Sequence, residues 1–315
     1  MQGLRGSAAF TVVILGLTVG ISALGGCDDD IDLATAWVAV EPPDGPATGL
    51  RAIDYAAGVG YLVGDAGQAW RYDGEDWRPI HSGTGVEFTG AAVRSDGGAW
   101  VCGADAAGDG RLFEHAPGTG WSEVLLQNAA FLAAVAVNET DRAIAAGSRG
   151  QVWINDGGGW TLHTDQGDYL WRAVDVSADG PYLVVGADAA GDGALLWFDG
   201  VDNHFVDIGG ERLEDCVLSD GDSGWVVGDG GGLFRFDSGA LQSVDEEVAA
   251  LRGMDLFPGS DDSGWACGLG GVLFSFDADG LAAADSPTTE NVQDLVLIDD
   301  EEGWAAAETH LLHYR

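Results

Sequence analysis

The 315-residue chain has no lysine, and its 13 arginines face 52 aspartates and glutamates, a formal net charge of −39. A surface this acidic repels nucleic acid phosphates and anionic headgroups and attracts cations or basic partners. Nucleic acid is therefore excluded as a partner. A halophilic setting, or a genome that replaces Lys with Arg, explains the same bias without any binding role. Proline is scarce, with 8 residues against 51 glycines, while 46% of the chain is hydrophobic, which excludes a disordered protein and provides for a large core. Cysteine is scarce too. After Cys27 only Cys102, Cys216 and Cys267 remain, an odd number with no Cys-x-x-Cys pair, so neither a closed disulfide framework nor a zinc site is expected. No Gly-x-Ser-x-Gly nucleophile motif, phosphate-binding loop or dinucleotide fingerprint is present. No catalytic residue and no cofactor is assigned.

Residues 1–26 read as a targeting segment, with Arg5 followed by an uncharged, mostly apolar stretch from Ala8 to Leu24 and then Gly25-Gly26-Cys27. The Leu24-Gly25-Gly26-Cys27 ending resembles the lipobox of bacterial lipoproteins. That resemblance implies a signal peptide over 1–26, lipidation of Cys27 with palmitate among the chains, and a lipidated tether over 27–34. Several acyl chains on one Cys hold a protein at a membrane without spanning it, each buried CH₂ contributing about 0.8 kcal/mol. The mature chain would keep twelve arginines against 52 acidic residues. The expected location is the bacterial cell envelope, at the inner or outer membrane.

From about residue 35 onward the sequence repeats. Gly64, Gly103, Gly147, Gly186, Gly228 and Gly268, with Ala307 in the seventh place, lie 39, 44, 39, 42, 40 and 39 residues apart, and each closes a short apolar run. A period near 40 with several short apolar runs per unit predicts a propeller. Each unit reads as four strands separated by Gly- and Asp-containing turns, the first unit giving Leu50–Ala56, Tyr61–Gly64, Gln68–Tyr72 and Trp77–His81. The seventh stops one strand short. Thr35 to Pro42 has the shape of the missing fourth strand, so the N-terminal segment is expected to complete the last blade. The fold class is all-β: a seven-bladed, WD40/YVTN-like β-propeller over 35–315.

The repeated Gly224-Trp225-Val-Val-Gly228-Asp-Gly230, with Asp73-Gly74…Trp77 and Asp156-Gly-Gly-Gly159-Trp160, resembles the YCF48/HCF136-type propellers and, more distantly, the Asp-box repeats of sialidases. The residues two before the turn Asp are Arg71, Ile154 and Arg235, where an Asp-box has Ser or Thr, so these turns read as blade hairpins. The YCF48-type resemblance implies a protein that works by binding in membrane-protein assembly, with an Arg patch near the channel engaged by the partner. The sialidase resemblance implies the alternative, a glycan-binding or glycoside-hydrolysing propeller in which three arginines hold a substrate carboxylate.

The twelve Trp recur at equivalent places, which predicts packing between blades. Trp171, which begins a first strand, is the exception. The residues that follow the first position of each first strand are Arg51, Thr89, Ala133, Arg172, Glu214, Arg252 and Gln293. Three arginines at one equivalent position around an axis suggest a site for a carboxylate or phosphate. The competing expectation is internal pairing, with Asp54, Asp175 and Asp255 three residues on or with Glu214. The candidate binding residues are thus Arg51, Arg172, Arg252, Trp171, Glu214 and Gln293. The octapeptide Gly-Ala-Asp-Ala-Ala-Gly-Asp-Gly occurs at 103–110 and again at 186–193, and Asp105, Asp109, Asp188 and Asp192 are weak candidates for Ca²⁺ because their spacing is not that of an EF-hand loop. No metal is assigned. The sequence reads as a monomeric, non-enzymatic envelope scaffold that contacts an unidentified protein partner through its channel face.

Overall fold

The computed structural model describes residues 36–43, 47, 49–246 and 249–315; the expected signal peptide, the expected tether and Cys27 lie outside the described residues. Among the described residues the strands form seven four-stranded antiparallel sheets. Blade 1 is Leu50–Ala56, Val59–Gly64, Ala69–Tyr72 and Trp77–Pro79, in sequence order from the channel outward. Blades 2 to 6 follow the same order. Blade 7 takes Val292–Leu297, Gly303–Ala307 and Leu311–Tyr314 from the C-terminus and Trp37–Val40 from the N-terminus. Trp37 pairs with Tyr314 and Val40 with Leu311, so the two ends of the described chain share one sheet and the ring closes as the sequence predicts.

The repeating glycines owe their place to space. Gly64, Gly147 and Gly268 are extended, with φ of −167°, −176° and −174°, a backbone any residue adopts. A Cβ on Gly147 would instead sit 1.9 Å from the Phe131 carbonyl oxygen, and one on Gly268 2.1 Å from that of Ala250. Each glycine thus lets the second strand pass the carbonyl that enters the first.

The core lies between blades. Seven apolar clusters each join two neighbours; one of them brings Leu50, Trp70 and Trp77 of blade 1 against Val296, Trp304 and Leu311 of blade 7. At three joints the Trp at the start of a fourth strand meets, edge to face, the Trp in the second strand of the preceding blade, while Trp121 of blade 2 stacks on Phe88 at 5.8 Å. Trp77 lies 5.7 Å from Trp304 at 87°, Trp160 5.3 Å from Trp100 at 89°, and Trp37 5.7 Å from Trp265 at 84°. Such pairs contribute about 0.5 to 1.5 kcal/mol beyond their burial. Phe205, Leu241 and Leu281 take the fourth-strand place in blades 4, 5 and 6.

Because Trp37 makes the same joint as Trp77, Trp37→Ala should destabilise the ring as much as Trp77→Ala, by about 3 to 5 kcal/mol in urea unfolding. A loss below about 1 kcal/mol for Trp37→Ala alone would show that the closing strand bears no load.

Candidate functional site at the channel mouth

Every first strand shifts register once near its start: Leu50 pairs with Gly64 but Ala52 with Val63, and the same slip recurs at the equivalent place in the other six blades. The skipped residue is a bulge, and a bulge re-aims its side chain. The seven skipped residues are Arg51, Thr89, Ala133, Arg172, Glu214, Arg252 and Gln293. Together with Phe131 they line one cavity of about 190 Å³ at the end of the channel. The column of unlike residues in the repeat is thus a ring of bulges around the mouth.

The arginines of that ring are paired, in a pattern the sequence only half discloses. Arg172 Nε and Nη2 both donate to Glu214 Oε2 at 3.1 Å, and Arg252 Nη1 reaches the same oxygen at 2.9 Å. A third guanidinium, from Arg212, donates to Glu214 Oε1 at 2.5 Å and pairs with Asp229 at 3.1 Å. Glu214 is 5% exposed. One buried carboxylate therefore holds three arginines, and several of their N–H groups remain free to donate. Arg51 stands apart, bidentate on Asp65 in an exposed pair at 3.0 and 3.3 Å. Gln293 completes the lining. The alternative that Asp54, Asp175 and Asp255 neutralise the arginines gives way: those side chains are used inside the channel. Arg212 escaped the sequence reading because it lies one residue ahead of its strand, outside the aligned positions.

Trp171 departs from expectation as well. It is fully buried and stacks on Tyr169 at 4.9 Å with the planes 4° apart. Its equivalents Leu50, Phe88, Leu132, Leu213, Leu251 and Val292 are equally buried. The position before the bulge faces the core, so Trp171 offers no surface to a partner.

Behind the mouth lie five carboxylates. Asp54 accepts N–H bonds from Tyr55 at 2.8 Å and from Val93 of blade 2 at 2.6 Å. Asp175 does the same with Val176 and Leu218, Asp215 with Cys216 and Met254, Asp255 with Leu256 and Leu297, and Asp294 with Leu295 and Ile53. One rule covers all five: each takes the N–H of the next residue in its own strand and the corresponding N–H of the following blade. The joints so made are 1 to 2, 4 to 5, 5 to 6, 6 to 7 and 7 to 1. Between blades 2 and 3, Thr89 Oγ1 instead donates to the Leu132 carbonyl at 2.8 Å. The five line a cavity of about 260 Å³. They are half-buried at the channel wall, and the desolvation that goes with it pushes their acidities down. Against the two N–H bonds, the carboxyl pKa of Asp54 is raised to about 6, of Asp215 to about 7 and of Asp255 to about 8, while those of Asp175 and Asp294 also move upward.

The duplicated octapeptides form matching turns. Asp105 Oδ1 accepts from the N–H groups of Ala107 and Asp109, and Asp188 Oδ1 from those of Ala190 and Asp192. Arg111 holds the second oxygen of Asp105. Among the described residues no group of three or more His, Cys, Asp or Glu side chains is placed to hold a metal ion. Cys102, Cys216 and Cys267 are free and buried, and burial pushes their thiols up.

Comparison with known proteins places the architecture. No family model matches the chain. A stretch of 74 residues is 31% identical to the immune protein Tsi7 of Pseudomonas aeruginosa, covering 21% of this chain and 24% of that protein's length. In three dimensions the chain is similar to YCF48 from Cyanidioschyzon merolae, with a TM-score of 0.69 and 20% identity over 89% of this chain and 99% of that one. It is also similar to YCF48 bound to D1 peptide, at 0.66 and 15% over 88% and 96%, and to the WD40 propeller domain of Doa1, at 0.69 and 11% over 89% and 97%. At these identities the likeness is one of fold, a YCF48-like seven-bladed propeller.

Removing the shared carboxylate should hurt more than removing an outlying arginine. Glu214→Ala is expected to cost about 1 to 3 kcal/mol, and Arg51→Ala, in its exposed pair, under about 1 kcal/mol. Urea midpoints for the two variants check the order; equal losses would contradict the shared-carboxylate arrangement.

Proposed function

We propose that the protein is a non-enzymatic binding scaffold of the bacterial envelope, lipid-anchored through Cys27, whose channel mouth receives an anionic group of a protein partner. The observation that carries this reading is the surplus of guanidinium at the mouth: Arg172, Arg212 and Arg252 converge on one buried carboxylate, in a chain of formal charge −39. Like charges gathered on a small ring are costly unless an anion meets them. Their side chains stay 21 to 32% exposed, so a partner can reach the N–H groups that Glu214 leaves over. An Arg fork binds carboxylate or phosphate with two parallel bonds. The strong negative charge elsewhere selects against a broadly anionic partner such as nucleic acid and favours a local anionic group on a protein.

Two further facts support a binding role. One structural neighbour is YCF48 bound to D1 peptide, and YCF48 and the Doa1 WD40 domain share the architecture. The leader ends in Leu24-Gly25-Gly26-Cys27, the residues on which the lipid anchor rests. The sialidase-like alternative requires three arginines free to hold a substrate carboxylate, whereas Arg172 and Arg252 are paired with Glu214 and Arg51 with Asp65.

The test is recovery of partners from detergent extracts of the native membrane. Wild type should fractionate with membranes and bring down a discrete partner. Arg51→Ala/Arg172→Ala/Arg252→Ala together should lose that partner while remaining folded, and Cys27→Ser should leave the membrane fraction. Unchanged partner recovery by the folded triple variant would overturn the mouth as the binding surface, and hydrolysis of a fluorogenic sialoside would favour the enzymatic alternative.

A further inference from the structure

We propose that the five channel aspartates are a proton-operated clasp, tightening the propeller ring as pH falls and slackening the joints they bridge as pH rises. The inference rests on geometry, and it stands whether or not the mouth binds an anion. Five of the seven joints between first strands run through these side chains, including the joint from Asp294 to Ile53 that closes blade 7 on blade 1.

Each joint holds two opposed demands. Two backbone N–H donors favour an ionised carboxylate, but five half-buried carboxylates around one cavity of about 260 Å³ repel one another and are partly shielded from solvent. No residue lining that cavity is basic. The charged groups facing the clasp come from both directions. Asp175 and Glu214 act on Asp215, Asp54 and Asp175 on Asp255, and Asp215 and Asp54 on Asp294, all in the direction that favours a bound proton. The Cys102, Cys216 and Cys267 thiols around the channel stay neutral at ordinary pH. Arg51, Arg172 and Arg252 share with Asp215 and Asp294 a cavity of about 180 Å³ toward the mouth, where Asp65 and Glu214 pair with them. In all five the own-strand N–H reaches Oδ1 and the cross-blade N–H reaches Oδ2, so a proton carried on Oδ1 leaves Oδ2 a carbonyl acceptor and the bond between blades survives neutralisation.

The sign follows from linkage. Carboxyls that bind protons more tightly folded than unfolded stabilise the fold fully below the unfolded value near 3.8, and that contribution is lost as pH climbs through their folded values, from about 6 for Asp54 to about 8 for Asp255. The ring should therefore be strongest in mild acid, the reverse of ordinary acid denaturation.

The experiment measures protons released on guanidinium unfolding at pH 6.5, and stability from pH 5.5 to 8.5, in about 0.5 M salt so that surface repulsion is screened. Wild type should release protons, and its unfolding constant should rise at least about tenfold over that range. Asp255→Asn keeps one acceptor and carries no titrating group, so it should release about one proton fewer, and its stability deficit against wild type should narrow as pH rises. Equal release by both proteins, or a deficit that stays constant with pH, would overturn the clasp. If Asp255→Asn does not fold, carbon-13 signals of the wild-type Asp carboxyls decide. At least one should titrate above pH 6, and titration of all of them below pH 5 would overturn it.

Discussion

A half-buried carboxylate that accepts one N–H from its own strand and one from the next blade is the constraint on which the ring depends. Propeller sheets touch face to face, and side-chain packing alone leaves the inner strands, where the circle is tightest, with unpaired N–H groups aimed at the axis. The channel aspartates satisfy those donors, which would otherwise be costly to bury. In doing so they fix the spacing of successive first strands. That spacing sets the radius of the mouth, and with it the distance between the bulged side chains that converge there.

Two packing devices share the work along each blade. Near the axis the joints are polar and few, and at Gly90 and Gly253 the residue is reduced to a hydrogen so that the neighbouring strand can approach within about 3 Å of where a Cβ would stand. Further out the joints are apolar and aromatic, with Trp37, Trp77 and Trp160 meeting second-strand Trp rings at nearly right angles. The N-terminal strand takes part in the outer device through Trp37, and Asp294 links the C-terminal blade in the inner one. Both ends of the described chain are thereby built into the ring.

Much of this could be read from the sequence, and what escaped did so for physical reasons. The repeating glycines and tryptophans gave the blade count, the strand order and the closure, because a structural duty repeated seven times leaves the same residue at the same offset. The arginines of the mouth were visible as a column because bulges recur at one place in every blade. Arg212 was not, since it reaches Glu214 from outside the strand. Asp54, Asp175 and Asp255 were visible as possible partners of the arginines, but the joining role of the channel aspartates stayed hidden because the five occupy two different columns. Asp215 and Asp294 follow the bulge directly, whereas Asp54, Asp175 and Asp255 lie two residues further on, and only the pleat brings both sets to the axis. Trp171 misled because a lone aromatic at a strand start looks like a contact surface, and the bulge turns the following residue, rather than that one, toward the mouth.

The central claim concerns five backbone amides, those of Ile53, Val93, Leu218, Met254 and Leu297, which donate across blades to aspartate side chains and to no carbonyl of their own sheet ladder. Amide hydrogen exchange at a single fixed pH tests it directly. The account predicts protection of these five matching that of the second-strand ladder amides, because freeing any of them requires two blades to part. Exchange at the rate of exposed turn amides would contradict it, and would leave the ring held by its aromatic joints alone.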